Sequence, residues 1–194
     1  ETHLSQGSGY YCFFCRTAGT THVRRAIALI PDNEMHCIAV VLDSTYRAYV
    51  DGVLKDSLTI TGTPDFTAYT TTTYIGRPAR AVRFMKGVIS SVLIYGRALT
   101  ESEIIFNFYN PNSPITDGLS LWLNFDEGVG TTAYDKSGNG RNGTIYGATW
   151  VSDTGQVAPL LNVNITASQI TLNMNITAQT IDVKIYTPSG RWAT

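Results

Sequence analysis

The sequence predicts an all-β protein: an antiparallel β-sandwich with one short helix and a repeat-bearing tail. Three observations lead there. Short runs of alternating apolar and polar residues recur along the 194 residues, the period of half-buried strands. Gly, Asp-Gly and Pro punctuate those runs at short intervals. One stretch alone, Thr100 to Tyr109, is read as a helix.

The elements follow in chain order. His36 to Asp43 runs into Tyr46 to Leu54, where Tyr46, Ala48 and Val50 alternate with Arg47, Tyr49 and Asp51. Asp51-Gly52 predicts a two-residue hairpin, because a type I′ turn needs positive φ at both central residues. Thr73-Tyr74-Ile75-Gly76 comes next, then Phe84 to Leu99. Strict alternation there assigns Ile89, Leu93 and Tyr95 to one face and Val88, Val92 and Ile94 to the other. Thr100, three residues before Glu103, is a capping box that opens the helix over Ile104, Ile105 and Phe106. The connection Asn107 to Thr116 carries Pro111 and Pro114, which keep it extended. Leu119, Leu121, Leu123 and Phe125 then line one face of a further strand. A turn-rich loop follows, with Gly138, Gly140 and Gly143 among Asn and Asp, residues that tolerate left-handed backbone and close turns with their own side chains. Ile145 to Trp150 is the strand after it.

From Leu161 an eleven-residue repeat is visible. Asn162 to Leu172 is followed by Asn173 to Val183, and Lys184-Ile185-Tyr186-Thr187 begins a third copy. The apolar alternation slips by one at Ser168-Gln169 and again at Gln179-Thr180, which predicts a bulge or bend at each. Two or three such strands are not a domain. They are expected to pair with the sandwich or with other chains.

Two of these segments resemble one family in halves and in reversed order. "YVDG", "IG", "F-x-G-x-I-x-x-V-x-I-Y-x-R-A-L" and "T-x-x-E-I" across residues 36–106 resemble the closing half of a laminin-G-like, concanavalin A-like jelly roll. Residues 118–150, with "D-x-S-G-N-G-x-x-G-T" from Asp135 to Thr144, resemble its opening half. The implied organisation is a closing part over 1–109, a linker over 110–117, opening strands over 118–150 and the repeat tail over 151–194. Because the family's first and last strands are neighbours, Trp122, Phe125, Val50, Leu93 and Tyr95 are expected in one core. The connection permits two routes for Leu119–Phe125: back beside Val88–Ile94 of its own chain, or across to a neighbouring subunit. The tail, lacking an evident partner, tips the expectation towards a homo-oligomer with shared strands.

Composition excludes other classes. Net charge is −1 and 15% of residues are charged, and no basic run exceeds Arg24-Arg25, so nucleic acid is a poor partner. No stretch has the length of a membrane span, and no charged-then-apolar signal opens the chain. A chain opening on Glu1 is expected to be a processed product or a fragment. Cys12, Cys15 and Cys37 allow one disulfide at most. Cys12 and Cys15, three apart on a strand, point to opposite faces, so the three are read as buried thiols behaving as small hydrophobes.

Catalysis is not expected. The glycoside hydrolases that share this fold resemble one another by an E-x-D-x-x-E strand motif, which is missing. Adjacent Asp126 and Glu127 diverge on a strand instead of flanking a bond at ~5–10 Å. No G-x-S-x-G frames a serine, and Gly138-Asn139-Gly140 lacks the lysine and helix of a phosphate loop. The resemblance implies a calcium ion, for which Asp126, Asp135 and Asn139 are the oxygen donors in a turn-rich setting. Against it, the family's usual Asp-Asp is Ser90-Ser91 here, and a loop held by its own hydrogen bonds is the competing reading. Tyr69, Tyr74 and Tyr146 are candidates to stack on sugars, with strand packing as the alternative role. Asn142, Asn164 and Asn175 head N-glycosylation triplets.

The expected function is a non-enzymatic structural or adhesive surface protein, extracellular or on a virion. It would be a fibre, spike or filament subunit that binds itself and cell-surface glycans. The alternative is a carbohydrate-binding module of a larger secreted enzyme.

Overall fold

The computed structural model describes residues 3–7, 10–16, 22–28, 35–60, 73–76, 85, 87–151, 162–165, 169–172 and 180–186. Strands β1 (His3–Gly7), β2 (Tyr10–Arg16) and β3 (His22–Ala28) form an antiparallel sheet in that order. A meander follows: β4 (Met35–Leu42), β5 (Thr45–Val50) and β6 (Val53–Thr59). Its second turn is the predicted one, with Asp51 at φ 53° and Gly52 at φ 76°. The first is closed by Asp43, whose carboxylate accepts from Thr45 N at 2.7 Å and meets Arg47 Nη2 at 2.6 Å.

Then come β7 (Thr73–Ile75), β8 (Gly87–Tyr95), α1 (Glu101–Tyr109), β9 (Leu119–Leu123), β10 (Thr132–Ala133), β11 (Gly143–Tyr146) and β12 (Thr149–Val151). The tail supplies β13 (Asn162–Ile165), β14 (Gln169–Leu172) and β15 (Thr180–Tyr186). A large sheet runs β12-β13-β8-β15-β4-β5-β6, and a small one runs β10-β11-β14-β7. Strand β8 is the spine of the large sheet. One of its edges pairs with β15, while the other is shared by β13 at Gly87–Ile89 and β9 at Val92–Tyr95.

The large sheet buries both faces. Against the small sheet lie Ile38, Val40, Tyr46, Val50, Ile89, Val92, Ile94, Leu121, Leu123 and Phe125, which meet Ile75, Ala133 and Ile145. The other face carries Ala39, Val41, Tyr49, Leu93, Tyr95 and Leu119, covered by Leu99 and by Ile104 of α1. The helix starts as the sequence predicts: Glu103 N donates to Thr100 Oγ1, and Thr100 N donates to Glu103 Oε2 at 2.8 Å. Arg97 grips Glu103 with both terminal nitrogens, at 2.6 and 3.0 Å, and also meets Asp117 at 2.8 Å. Gly118, at φ 70°, lets the chain pass Arg97, where a Cβ would meet Arg97 Cγ at 2.8 Å.

Five expectations change. Of the residues assigned to one core, Val50 and Phe125 are on the inner face, and Leu93, Tyr95 and Trp122 are on the helix-covered face. Ile89 sides with Val92 and Ile94, not with Leu93 and Tyr95. The cause is a bulge: Lys184 pairs with Ser91 and Ile185 with Ile89, leaving Ser90 as an extra residue that reverses the alternation. Leu119 likewise leaves the face of Leu121, because Tyr95 pairs with Leu119 and Ile94 with Leu121, skipping Ser120. The tail has partners after all. Its described strands pair within this chain, β13 and β15 in the large sheet and β14 in the small one. Of the two routes open to the strand after the linker, the structure takes the fold-back: β9 lies beside its own β8.

Cys37 is buried, as expected; the side chains of Cys12 and Cys15 lie outside the described environment. Among the described residues no helix is long and apolar enough to cross a membrane.

Candidate functional site

The glycine-rich loop folds around Asp135. Its Oδ1 accepts from Trp122 N at 3.0 Å and Ser137 N at 2.9 Å, and its Oδ2 accepts from Arg141 N at 2.9 Å. Burial alone would raise the Asp135 pKa, but the hydrogen bonds from Ser137, Arg141 and Trp122 outweigh it and hold the carboxyl below its usual range. Asn139 Nδ2 donates to Leu119 O at 3.1 Å, and Arg141 Nη1 donates to Ser120 O at 2.7 Å. The loop is thus stapled to β9 at the Ser120 bulge.

This arrangement does not fit a calcium ion. Asp135 and Asn139 share the loop, but both Asp135 oxygens accept from backbone N–H groups, and Asn139 turns its Nδ2 donor to the carbonyls of β9. Asp126 instead accepts from Asn124 Nδ2 at 2.8 Å and faces the Lys136 ammonium at 3.3 Å. Ser90 and Ser91, where the family resemblance calls for carboxylates, are buried. Among the described residues no three His, Cys, Asp or Glu converge to hold a metal. Asp126 and Glu127 have separate partners, Glu127 Oε1 accepting from Tyr134 N at 2.7 Å.

The second candidate is the outer face of the small sheet. Thr171 of β14 stands opposite Tyr74 of β7 on one side and Thr144 of β11 on the other. Ile75 and Ile145 turn inward and are buried, so Tyr74, Thr144 and Tyr146 turn outward. Tyr146 is 53% exposed and Tyr74 is half-buried. Two strand spacings and two residues separate the two tyrosines, roughly 12 Å. Beyond β10, where Ala133 is buried, Tyr134 is 54% exposed. Thr132 stands opposite Thr144. The face therefore presents planar phenols among hydroxyls, and these positions carry no charge.

Tyr134 was not singled out by the sequence. Its signal was the alternation Thr132-Ala133-Tyr134, two residues too short to read as a strand. Tyr69 lies outside the described residues, as does Asn175. Asn142 is exposed and its Oδ1 accepts from Asp135 N at 2.9 Å. Asn164 stands in β13 between Thr149 and Val88.

A laminin-G-type family model, described as the Concanavalin A-like lectin/glucanases superfamily, matches residues 2–105. That is more than half of the chain. It takes in β1 to β8 and the first turn of α1, while residues 118–150 lie beyond it. No curated protein and no solved structure matches.

Proposed function

This chain belongs to the concanavalin A-like lectin/glucanase superfamily, and from that membership we propose a non-enzymatic, adhesive surface protein that binds glycans. In this reading the protein is extracellular or on a virion, and it assembles through its β-strands into a fibre, spike or filament around a jelly-roll sandwich. The observation that carries the glycan half is the outward tyrosine face: Tyr134 and Tyr146 are more than half exposed in a sheet whose opposite face is core. Aromatic rings with a polar rim suit the apolar faces and hydroxyls of a sugar. Uncharged side chains at Tyr74, Thr132, Tyr134, Thr144 and Tyr146 favour neutral glycans over sulfated or sialylated ones. The absence of catalysis is supported by Asp126 and Glu127, which are held by different partners instead of flanking a common cleft.

Binding of the full chain to a glycan array tests the reading. Tyr134→Ala and Tyr146→Ala should each weaken binding about tenfold, which corresponds to about 1.4 kcal/mol, with an unchanged Tm. An array on which the chain binds nothing would overturn the glycan half.

A second reading, a carbohydrate-binding module of a larger secreted enzyme, is favoured by the internal pairing of β9, which leaves the described strands self-sufficient. Light scattering separates the two, because the module is a monomer and the fibre subunit is not.

A further inference from the structure

We infer that β15 is the strand by which copies of this chain join, a second copy supplying the strand that fills the slot between β4 and β8. The inference rests on the assembly half of the proposed function and names the element that crosses.

Every residue of β15, Thr180 to Tyr186, has a partner on β4 and another on β8. Without β15 the large sheet falls into two pieces, β12-β13-β8 with β9, and β4-β5-β6. The edges so exposed belong to strands whose side chains are buried, Cys37 to Leu42 on β4 and all of β8. Such a slot must be filled, since open edges flanked by core are costly in water. The slot does not care which copy fills it: an exchanged strand makes the same backbone bonds and buries the same neighbours.

Two features make β15 the strand that can leave. The first is connectivity. It follows β14, which sits in the other sheet, and no described strand comes after it. Vacating the slot therefore drags no other described strand along. Seven residues, 173 to 179, join β14 to β15, a reach of up to ~24 Å against a sheet separation of ~10 Å.

The second is the repeat. Asn173-Met174-Asn175-Ile176 copies Asn162-Val163-Asn164-Ile165, and that earlier copy is β13. The connection thus has the sequence of a segment that this fold uses as a strand. From Asn162 to Tyr186 there is no Gly and no Pro, in a chain that holds 17 Gly and 7 Pro. A connection spelled for extended backbone favours the opened chain, in which β14 and β15 point to different subunits, over a tight return.

Register supplies the test. Val183 stands opposite Val92 on β8 and Ile38 on β4. Antiparallel partners have Cα atoms ~4.5–5.5 Å apart, within disulfide range. Full-length chains carrying Val92→Cys are co-expressed with chains carrying Val183→Cys and oxidised. Linked peptides are mapped by mass spectrometry, so that Cys12, Cys15 and Cys37 are told apart. The expected result is a covalent pair of chains joined through positions 92 and 183. The same chain carrying both changes should then link between chains and run at twice the mass or more. If Val92→Cys fails to fold, Ile38→Cys takes its place on the other side of the slot.

A doubly substituted chain that closes its link within itself, together with no linked pair from the mixed single variants, overturns the inference. Light scattering of the unmodified protein then distinguishes two failures. A multimer means that assembly stands but uses another surface. A monomer means that the assembly reading falls as well.

Discussion

The Asn107 side-chain amide donates to the Tyr95 hydroxyl at 3.0 Å, and both side chains are fully buried. Between them they satisfy both backbone groups of Ile115: Tyr95 donates to its carbonyl at 2.8 Å, and Asn107 Oδ1 accepts from its N–H at 2.9 Å. One strand, one helix and the connection to β9 are thereby tied at a single point.

Tyr95→Phe strands the Ile115 carbonyl and the Asn107 amide without adding a clash. The expected cost is about 1–3 kcal/mol by urea unfolding. Asn107→Ala should cost a similar amount. A double-mutant cycle should show the two changes coupled, because each removes a partner of the other. Additive losses would mean that the contact contributes nothing of its own.

The Arg97 clamp predicts a pH dependence. Hydrogen bonding to Arg97, then the Thr100 N–H, pulls the Glu103 pKa from an ordinary 4.5 down to about 2. A depressed acid stabilises the fold only while ionised. The contribution should be complete above pH 4.5 and vanish as the pH falls towards 2. Wild type and Glu103→Gln should therefore differ in Tm at pH 6 and converge by pH 2. Partial exposure of the pair and added salt make the gap small.

The two-faced sheet predicts which core losses add. Leu93 and Trp122 are cross-strand partners on the helix-covered face, whereas Phe125 is on the other. Leu93→Ala should cost about 2–5 kcal/mol and Phe125→Ala about 3–5 kcal/mol. Leu93 and Trp122 changes should couple by about 0.5–3 kcal/mol, and Leu93 and Phe125 changes should add. Strong coupling across the sheet would argue for a single core.

Asp135 is a structural carboxylate in this geometry, so its removal should act on stability and not on metal dependence. Asp135→Ala leaves three backbone N–H groups without their acceptor and should cost about 3 kcal/mol. EDTA should leave the Tm of the unmodified protein unchanged. A rise in Tm with added calcium would instead make Asp135 a ligand.

Local signals carried much of the fold. The Asp51-Gly52 turn and the Thr100–Glu103 capping box were legible because each is decided within four residues. Faces were harder to read. Alternation places Ile89 and Leu119 correctly only up to the next bulge, and nothing in Ser90 or Ser120 announces that the partner strand will skip them. The partners of the tail were hidden for a related reason. Gln169–Leu172 and Thr180–Val183 are the same part of the repeat, yet they join different sheets. At the candidate site, Tyr74 and Tyr146 were legible as strand aromatics. Tyr134 was not, because the strand before it is two residues long and is defined by its neighbour.

The central position of β8 sets the timetable of synthesis. It is translated at residues 87–95, but its neighbours arrive at 119–123, 163–165 and 180–186. At about 5–20 residues per second, the ribosome needs roughly 5–18 s to travel from Tyr95 to Tyr186. Through that interval a nine-residue strand destined for complete burial keeps the edge facing β15 open, while its other edge gains β9 and then β13. Completion of the large sheet therefore waits for residues 180–186 and is slow, dominated by contacts far apart in sequence. The nascent chain is most exposed to aggregation, and most dependent on chaperones, between the release of β8 and the arrival of β15.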